Sequence, residues 1–222
     1  MPTSDPRTPR ERYRAQVRDE IKTRAWEQIA GAGASALSLN AIAKQMGMSG
    51  PALYRYFANR DELITELIRD AYRSLADRFQ AAAKAGAGLP GLARTMRDWA
   101  LEDPHRYFLV YGTPVPGYQA PPDTTLIASE VMTVLLDACE AEGVAEDPFQ
   151  THIAEHRFWA GDHSAPPAAL HHALVFWTRL HGTLSLELAG HFTGMGFDPA
   201  ELYAAETRAL TTSPVEGNPL LP

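Results

Sequence analysis

Apolar residues recur at helical spacing along most of the chain. Between about Arg10 and Ala32 they stand four residues apart and form one stripe of an amphipathic helix, made of Val17, Ile21, Ala25 and Ile29. Comparable stripes, bounded by Gly, Pro and cap residues, predict further helices at about 39–46, 49–57, 59–85, 92–101, 104–111, 125–142, 148–160, 166–192 and 199–210. No stretch of the sequence sustains the alternation of a strand, so the fold is predicted to be all-α.

Helix start and stop signals are dense between residues 38 and 62. Ser38 suits the N-cap of the second helix, and Gly47 lies just past its predicted end. Ser49 suits the N-cap of a short third helix. Asn59, followed three residues later by Glu62, predicts a capping box at the start of a long fourth helix.

Three residues in this region stand at the spacing of a helix-turn-helix. Ala43 is small where two helices would cross, Gly47 suits a turn with positive φ, and Leu53 would be buried against the first helix. The third helix then projects side chains that can approach phosphates or base edges, namely Gly50, Ala52, Tyr54, Arg55 and Tyr56. An ordinary helical hairpin with surface tyrosines is the alternative interpretation.

Charge is distributed unevenly along the 222 residues. The chain carries 20 basic and 27 acidic side chains, yet residues 1–70 hold 11 basic and 9 acidic ones, a balance of +2. The remaining residues therefore carry −9. Five arginines between Arg7 and Arg18 form either a basic arm that lies along phosphates or a solvated, partly disordered tail.

Composition narrows the class of protein. Cys139 is the single cysteine, so no disulfide can form within the chain, and the N-terminal residues are not expected to form a signal peptide. No segment approaches the roughly 18 consecutive apolar residues of a membrane-spanning helix. We expect a cytoplasmic protein that has no membrane partner and no cofactor.

The run from Ile21 to Leu67, which contains LSLNAIAKQMGMSGPALYRYFANRDELI, closely resembles the N-terminal domain of the tetracycline-repressor family of bacterial transcriptional regulators. The resemblance implies an all-helical homodimer, with a helix-turn-helix domain (1–70) on double-stranded operator DNA and a larger ligand-binding and dimerisation domain (71–210). The residues that match base-facing positions are Gly50, Ala52 and Arg55. Those that match the other contact positions are Ser38, Asn40, Lys44, Ser49, Tyr54, Tyr56 and Arg60.

These matches predict a ligand-responsive regulator, a repressor released from its operator by a small effector, and not an enzyme. Gly50 and Ala52 offer no side-chain hydrogen bonds, so sequence readout must depend on Arg55, Asn40 or DNA shape. A helical adaptor protein that binds no DNA is another alternative interpretation. Residues 211–222 are predicted to be a disordered tail.

Aromatic residues concentrate in the C-terminal two-thirds. Trp177, His181 and Gly182 resemble a Trp-His-Gly signature of one subgroup of these regulators, and the first two either contact a ligand or only pack in the core. A mostly apolar effector is expected. The predicted ligand-binding residues are Trp99, Phe108, Tyr111, Phe158, Trp159, Phe176, Trp177 and His181.

The last two helices are predicted to form a four-helix dimer interface with a second copy of the chain. The side chains expected there are Leu184, Leu188, Phe192, Leu202 and Tyr203.

One further motif favours a different chemistry. His152, Glu155 and His156 have the H-x-x-E-H spacing of one group of zinc proteases. Two histidines four residues apart on a helix can share a metal ion, so a metal-responsive regulator or a zinc enzyme is the alternative function. A solvated helix face is the simpler interpretation, and no metal site is predicted.

Overall fold

The computed structural model describes residues 8–139 and 147–211, and within those ranges it is all-helical without a strand. The predicted all-α fold is therefore confirmed. The helices are α1 (Pro9–Ala32), α2 (Leu39–Gln45), α3 (Gly50–Leu53), α4 (Arg60–Lys84), α5 (Leu89–Glu102), α6 (Pro104–Tyr111), α7 (Pro122–Ala138), α8 (Pro148–Glu155), α9 (Pro167–Leu188) and α10 (Pro199–Thr211), with short 3-10 helices at Ala34–Ala36 and Phe158–Ala160. None of the helices in the described ranges combines the length and apolar character that a bilayer crossing requires.

Local capping chemistry decides where the N-terminal helices begin. The Ser38 hydroxyl accepts a hydrogen bond from the Ala41 amide (3.3 Å), and the Asn59 side chain accepts one from the Glu62 amide (2.8 Å), as predicted. Ser49 occupies the N-cap position of α3, but its hydroxyl makes no cap hydrogen bond. The expectation that its side chain caps α3 is therefore wrong.

Three predicted helix ends differ from the observed ones, the first being that of the third helix, which was expected near residue 57 and lies at Leu53. The helix expected over 148–160 ends at Glu155 and is followed by a separate 3-10 helix, because His156 leaves the helical conformation. The long helix expected to reach residue 192 ends at Leu188. The predicted end of the 125–142 helix and the tail beyond Thr211 lie outside the described residues.

The chain divides into two compact units. Unit 1 comprises the residues up to Ala71 together with His105–Pro121, and unit 2 comprises Tyr72–Pro104 and the residues from Pro122 onward. The segment 105–121 thus comes from within the stretch predicted as the second domain. In unit 1 it is tied to α4 by a 3.0 Å hydrogen bond between the hydroxyls of Thr65 and Tyr118.

Unit 2 is held together by α5, α9 and α10. The Tyr203 hydroxyl of α10 donates to the Ala93 carbonyl of α5 (2.9 Å), and Leu184 of α9 is completely buried. Both residues were predicted to lie at the dimer interface. That prediction is wrong for Leu184 and Tyr203, because their side chains already pack inside the subunit.

Candidate DNA-binding surface

The turn between α2 and α3 has the geometry that the sequence predicts. Gly47 adopts φ of 65°, a left-handed conformation that favours glycine, and the Met48 amide donates to the Ala43 carbonyl (2.9 Å). Ala43 is 2% exposed and Leu53 is completely buried. The two helices therefore form a helix-turn-helix with a close-packed crossing.

The residues predicted to contact DNA lie at the surface around this turn. Asn40 on α2 and Gly50 on α3 are neighbours, since a Cβ atom added to Gly50 would lie 3.5 Å from the Asn40 Oδ1 atom. The exposed members of the set are Asn40, Lys44, Ser49, Tyr54 and Arg55. The half-exposed members are Ser38, Gly50, Ala52, Tyr56 and Arg60.

Two cations on this surface are available for an external anion. Within residues 8–139 and 147–211, neither the Lys44 ammonium nor the Arg55 guanidinium is engaged in an ion pair or side-chain hydrogen bond. The Lys22 ammonium differs, because Asp70 lies 2.9 Å from it and Asp19 lies 3.1 Å from it. Lys44 and Arg55 can thus bind phosphate or a base edge without breaking an internal contact.

Arg60, another predicted DNA-contacting residue, has an internal role as well. Its Nη2 atom donates to the Ala34 carbonyl (2.8 Å), which joins the start of α4 to the 3-10 helix after α1. Its Nη1 atom lies 3.6 Å from the Asp61 carboxylate. Arg60 therefore stabilises unit 1 whether or not it touches DNA.

The described part of the basic segment near the N-terminus is helical. Helix α1 begins at Pro9, where the Thr8 side chain and Glu11 form a capping box. Arg14 and Arg18, expected in an arm or a tail, instead donate to the backbone carbonyls of Arg55 and Tyr56. The expectation of a disordered tail is therefore wrong for residues 9–18, whereas Arg7 lies outside the described residues and the contact of this segment with phosphates stays a prediction. The four-residue spacing of Arg14 and Arg18 on a predicted helix was the signal that could have shown their common face.

The residues predicted to bind a ligand fall in both units. Phe108 and Tyr111 belong to unit 1, and the other six belong to unit 2. Within unit 2, Trp99 is completely buried and donates from Nε1 to the Ser74 hydroxyl (3.2 Å), while Phe158 is 99% exposed. Phe176 is 1% exposed, and Trp159 is partly exposed.

Trp177 and His181 contact each other as their spacing predicts. Their ring centroids lie 4.2 Å apart at an interplanar angle of 63°, an edge-to-face arrangement. Burial lowers the pKa of His181 from 6.5 to about 3, because the low-dielectric surroundings disfavour the charged imidazolium. The imidazole of this half-buried residue is therefore neutral at pH 7 and lies next to an indole.

Unit 1 contains a cleft of about 350 Å³ between the end of α1, α6 and the loop that follows α6. Its lining includes Ile29, Gly33, Phe108, Leu109, Val115 and Pro116. Phe108 is thus the predicted ligand-binding residue that lines this cleft. A volume of this size is at the lower end for small-molecule sites.

The H-x-x-E-H motif lies at the C-terminal end of α8. The His152 and His156 rings stack at 4.2 Å between centroids, and the His156 Nδ1 atom lies 2.8 Å from the His152 carbonyl oxygen. Among the described residues, no group of three His, Cys, Asp or Glu side chains is close enough to hold a metal ion. Nothing in the described structure supports the zinc alternative.

Comparisons with known proteins identify both parts of the chain. The profile described as "Bacterial regulatory proteins, tetR family" matches residues 21–67, and that described as "Tetracyclin repressor-like, C-terminal domain" matches residues 89–210. The subgroup suggested by Trp177, His181 and Gly182 stays a prediction, because neither description mentions it.

Relatives match over nearly their full length. The HTH-type transcriptional regulators Mb1846 of Mycobacterium bovis and Rv1816 of Mycobacterium tuberculosis are each 34% identical over 215 residues, covering 89% of this chain and 92% of the relative. The crystal structure of SCO4313 is 67% identical, with a TM-score of 0.87 over 92% of this chain and 99% of that chain. A Rhodococcus sp. RHA1 structure, 23% identical with a TM-score of 0.65 over 87% of this chain and 92% of that one, shares the fold. The chain therefore belongs to the tetR family of bacterial transcriptional regulators, whose N-terminal helix-turn-helix binds DNA.

Proposed function

We propose that the protein is a dimeric repressor that leaves its operator DNA when a small, mostly apolar effector binds. The observation that supports this proposal most directly is the exposed, internally unengaged pair Lys44 and Arg55 on the helix-turn-helix surface. A repressor acts where bacterial DNA lies, so its location is the cytoplasm.

Within this proposal the ten DNA-facing residues have two roles. Lys44, Tyr54 and Tyr56 contact phosphates, because an ammonium group and phenolic hydroxyls suit anionic oxygens whatever the base sequence. Ser38, Ser49 and Arg60 belong to the same backbone-contacting group. Base preference comes from Arg55 and from Asn40, which lies beside Gly50, and the small residues Gly50 and Ala52 allow close approach to the major groove.

Lys44→Ala and Arg55→Ala separate these two roles. Removing one phosphate contact should weaken binding to all sequences and lower the slope of log K against log [salt] by about one. Removing a base contact should relax base preference at one position and cost about 1–3 kcal/mol of discrimination. Selection from a random DNA library, followed by binding isotherms at two salt concentrations, measures both effects.

Lys84→Ala is the control for the loss of a positive charge, because Lys84 is an exposed lysine at the end of α4 in unit 2. It should leave affinity and salt slope near the parent values. Isotherms of Lys44→Ala and Arg55→Ala that coincide with the parent at both salt concentrations would contradict the assignment. Failure of the parent to select any sequence would contradict the proposed function itself.

The dimer interface that we propose uses the outer face of α9 and α10. On α9, Gly182 is exposed and a Cβ atom added there would meet no atom within 4 Å, so a second helix can approach its backbone. Leu186, one turn further along, is 44% exposed. Leu188, Phe192 and Leu202 are only half-buried, so they remain in the proposed interface.

Gly182→Arg should separate the dimer, because it places a long charged side chain where two backbones would meet. Sedimentation at micromolar concentration should give twice the 24.3 kDa mass of one chain for the parent and a single chain for Gly182→Arg. Ala83→Arg, at an exposed position on α4, should remain a dimer. A parent that sediments as a monomer at every concentration would contradict the interface.

The effector site that we propose is centred on Trp177 and His181 in unit 2. The depressed pKa of His181 results from burial, and an ionised ligand would lose its hydration on entering a site that disfavours charge in this way. A neutral imidazole can instead donate or accept one hydrogen bond, which orients a neutral ligand. The proposed ligand is therefore a neutral, mostly apolar organic molecule.

Neutral apolar compounds should shift tryptophan fluorescence and release operator DNA, and Trp177→Ala should reduce this response more than it weakens DNA binding. Helix α4 contributes residues to both units and is therefore the proposed link between them. The effector must bind the DNA-free geometry more tightly, since only differential affinity shifts the equilibrium. Release by a charged metabolite or a metal ion, with no response to the apolar panel, would contradict this site.

A further inference from the structure

Helix α3, which carries the proposed base-facing residues Gly50 and Ala52, is too short to be stable by itself. Helix α3 spans only Gly50–Leu53, a single turn, and the chain continues as hydrogen-bonded turns in which the Tyr56 amide donates to the Leu53 carbonyl (2.8 Å). One isolated turn is unstable in water, because it fixes several backbone angles for few hydrogen bonds. The last carbonyl groups of such a segment also require donors from elsewhere. Contacts from outside the segment must therefore set its orientation.

Two arginines of α1 supply these contacts. The Arg14 Nη2 atom donates to the Arg55 carbonyl (3.1 Å), and the Arg18 Nη1 atom donates to the Tyr56 carbonyl (2.5 Å). Cations near the C-terminal end of a helical segment interact favourably with its carbonyl groups. The Arg14 guanidinium also lies 5.7 Å from the centroid of the Tyr56 ring, within the range of a cation–π contact. Both guanidinium groups thus bind the back of the DNA-facing segment.

Arg18 is itself held by neighbours on three sides. Its Nη2 atom lies 3.2 Å from a Glu66 carboxylate oxygen, and its guanidinium lies 4.2 Å from the centroid of the fully buried Phe57 ring. The second Glu66 oxygen binds Arg69 at 2.9 Å. The side chains of Arg18 and Glu66 are only 27% and 28% exposed. Because its charge is already paired with Glu66 and its guanidinium plane stacks on Phe57, Arg18 is poorly placed to bind a DNA phosphate.

We infer that Arg14 and Arg18 are positioning residues for sequence readout, which fix the backbone of residues 55 and 56 and so aim the Arg55 side chain at base edges. This inference rests on the DNA-binding part of the proposed function. It predicts that the two arginines act on specificity through the backbone rather than on affinity through phosphate charge. Loss of Arg18 allows the short segment to reorient, so base contacts weaken while phosphate contacts around α2 persist.

Arg18→Ala tests the inference against Lys44→Ala, a change at a proposed phosphate contact. The ratio of specific to non-specific affinity, measured on DNA selected by the parent, should fall by about tenfold or more for Arg18→Ala. Its salt slope should stay at the parent value, whereas Lys44→Ala should lower the slope by about one. Arg18→Lys should not restore the specificity ratio, because an ammonium group cannot bridge Glu66 and the carbonyl while stacking on Phe57.

Milder variants keep the test decisive if Arg18→Ala fails to fold, which circular dichroism would show. Arg14→Ala removes an exposed side chain, and Glu66→Gln leaves Arg18 in place without its ion pair. Both should lower the specificity ratio less than Arg18→Ala, again at constant salt slope. A slope reduced by about one in Arg18→Ala or Arg14→Ala, or full rescue by Arg18→Lys, would overturn the inference. If the parent protein selects DNA, either of these outcomes overturns only the inference and leaves the proposed function intact. If the parent protein selects no DNA, the proposed function itself is contradicted.

Discussion

Replacing Trp99 with alanine is expected to destabilise unit 2 by about 3–5 kcal/mol, the usual cost of removing a large aromatic side chain from a packed core. Trp99 is completely buried, so its loss leaves a cavity and removes the hydrogen bond that its indole donates to Ser74. Guanidinium unfolding followed by circular dichroism measures the effect as a lower midpoint. The result matters because the sequence assigns Trp99 to the ligand site, whereas its burial indicates a core residue.

Phe158→Ala is the matched control for this experiment. Phe158 was assigned to the same ligand site, but it is 99% exposed, so its removal should change the free energy of unfolding by no more than about 0.5 kcal/mol. A Trp99→Ala variant of nearly parental stability with a blunted effector response would show that Trp99 contacts ligand. A destabilised Phe158→Ala variant would show that this side chain packs against another molecule.

Lowering the pH from 7 to 5 is expected to remove about 2 kcal/mol of stability through His181 alone. The folded-state pKa of His181 is lowered from 6.5 to about 3 by burial. Below pH 6.5 the His181 imidazole of the unfolded chain therefore binds a proton, whereas that of the folded chain stays neutral down to about pH 3. Since the unfolded state then binds more protons, its population grows as the pH falls through this window. Burial of a neutral imidazole thus makes the protein sensitive to acid.

The measurement compares the pH dependence of unfolding in the parent and in His181→Leu. The variant should lose about 2 kcal/mol less than the parent between pH 7 and 5, because leucine has no proton to bind. His191→Gln, which removes an exposed histidine in the same unit, should follow the parent curve. Parallel curves for the parent and His181→Leu would contradict the burial of this imidazole.

The helix-turn-helix could be predicted from sequence because its determinants are local. Helical spacing of apolar residues, the caps at Ser38 and Asn59, and the positive φ at Gly47 each act within a few residues of the chain. The contact between Trp177 and His181 was predictable for the same reason, since residues four apart share a helix face. The outward projection of Arg55 followed from the helix-turn-helix spacing, whereas Lys44 was assigned by the family resemblance, and both side chains are exposed.

The aromatic residues of unit 2 show where this reasoning ends. Trp99 and Phe158 were assigned to the same ligand site from composition, yet one is completely buried and the other almost completely exposed. Leu184 and Tyr203 were assigned to a dimer interface, yet α5, α9 and α10 bury them inside the subunit. A hydrophobic stripe shows which face of a helix must be covered, but it does not show which helix covers it.

The sequence alone therefore determined the all-α class and the helix-turn-helix, because short-range spacing and capping encode them, and its resemblance to known regulators identified the family. Only the tertiary structure decided that Arg14 and Arg18 bind carbonyls 41 and 38 residues away in the chain, and that Thr65 bonds to Tyr118 across 53 residues. The physical reason is that an exposed arginine on an amphipathic helix has the same local pattern whether it meets water, phosphate or a carbonyl. Its partner is set by how distant helices pack, which no local periodicity records.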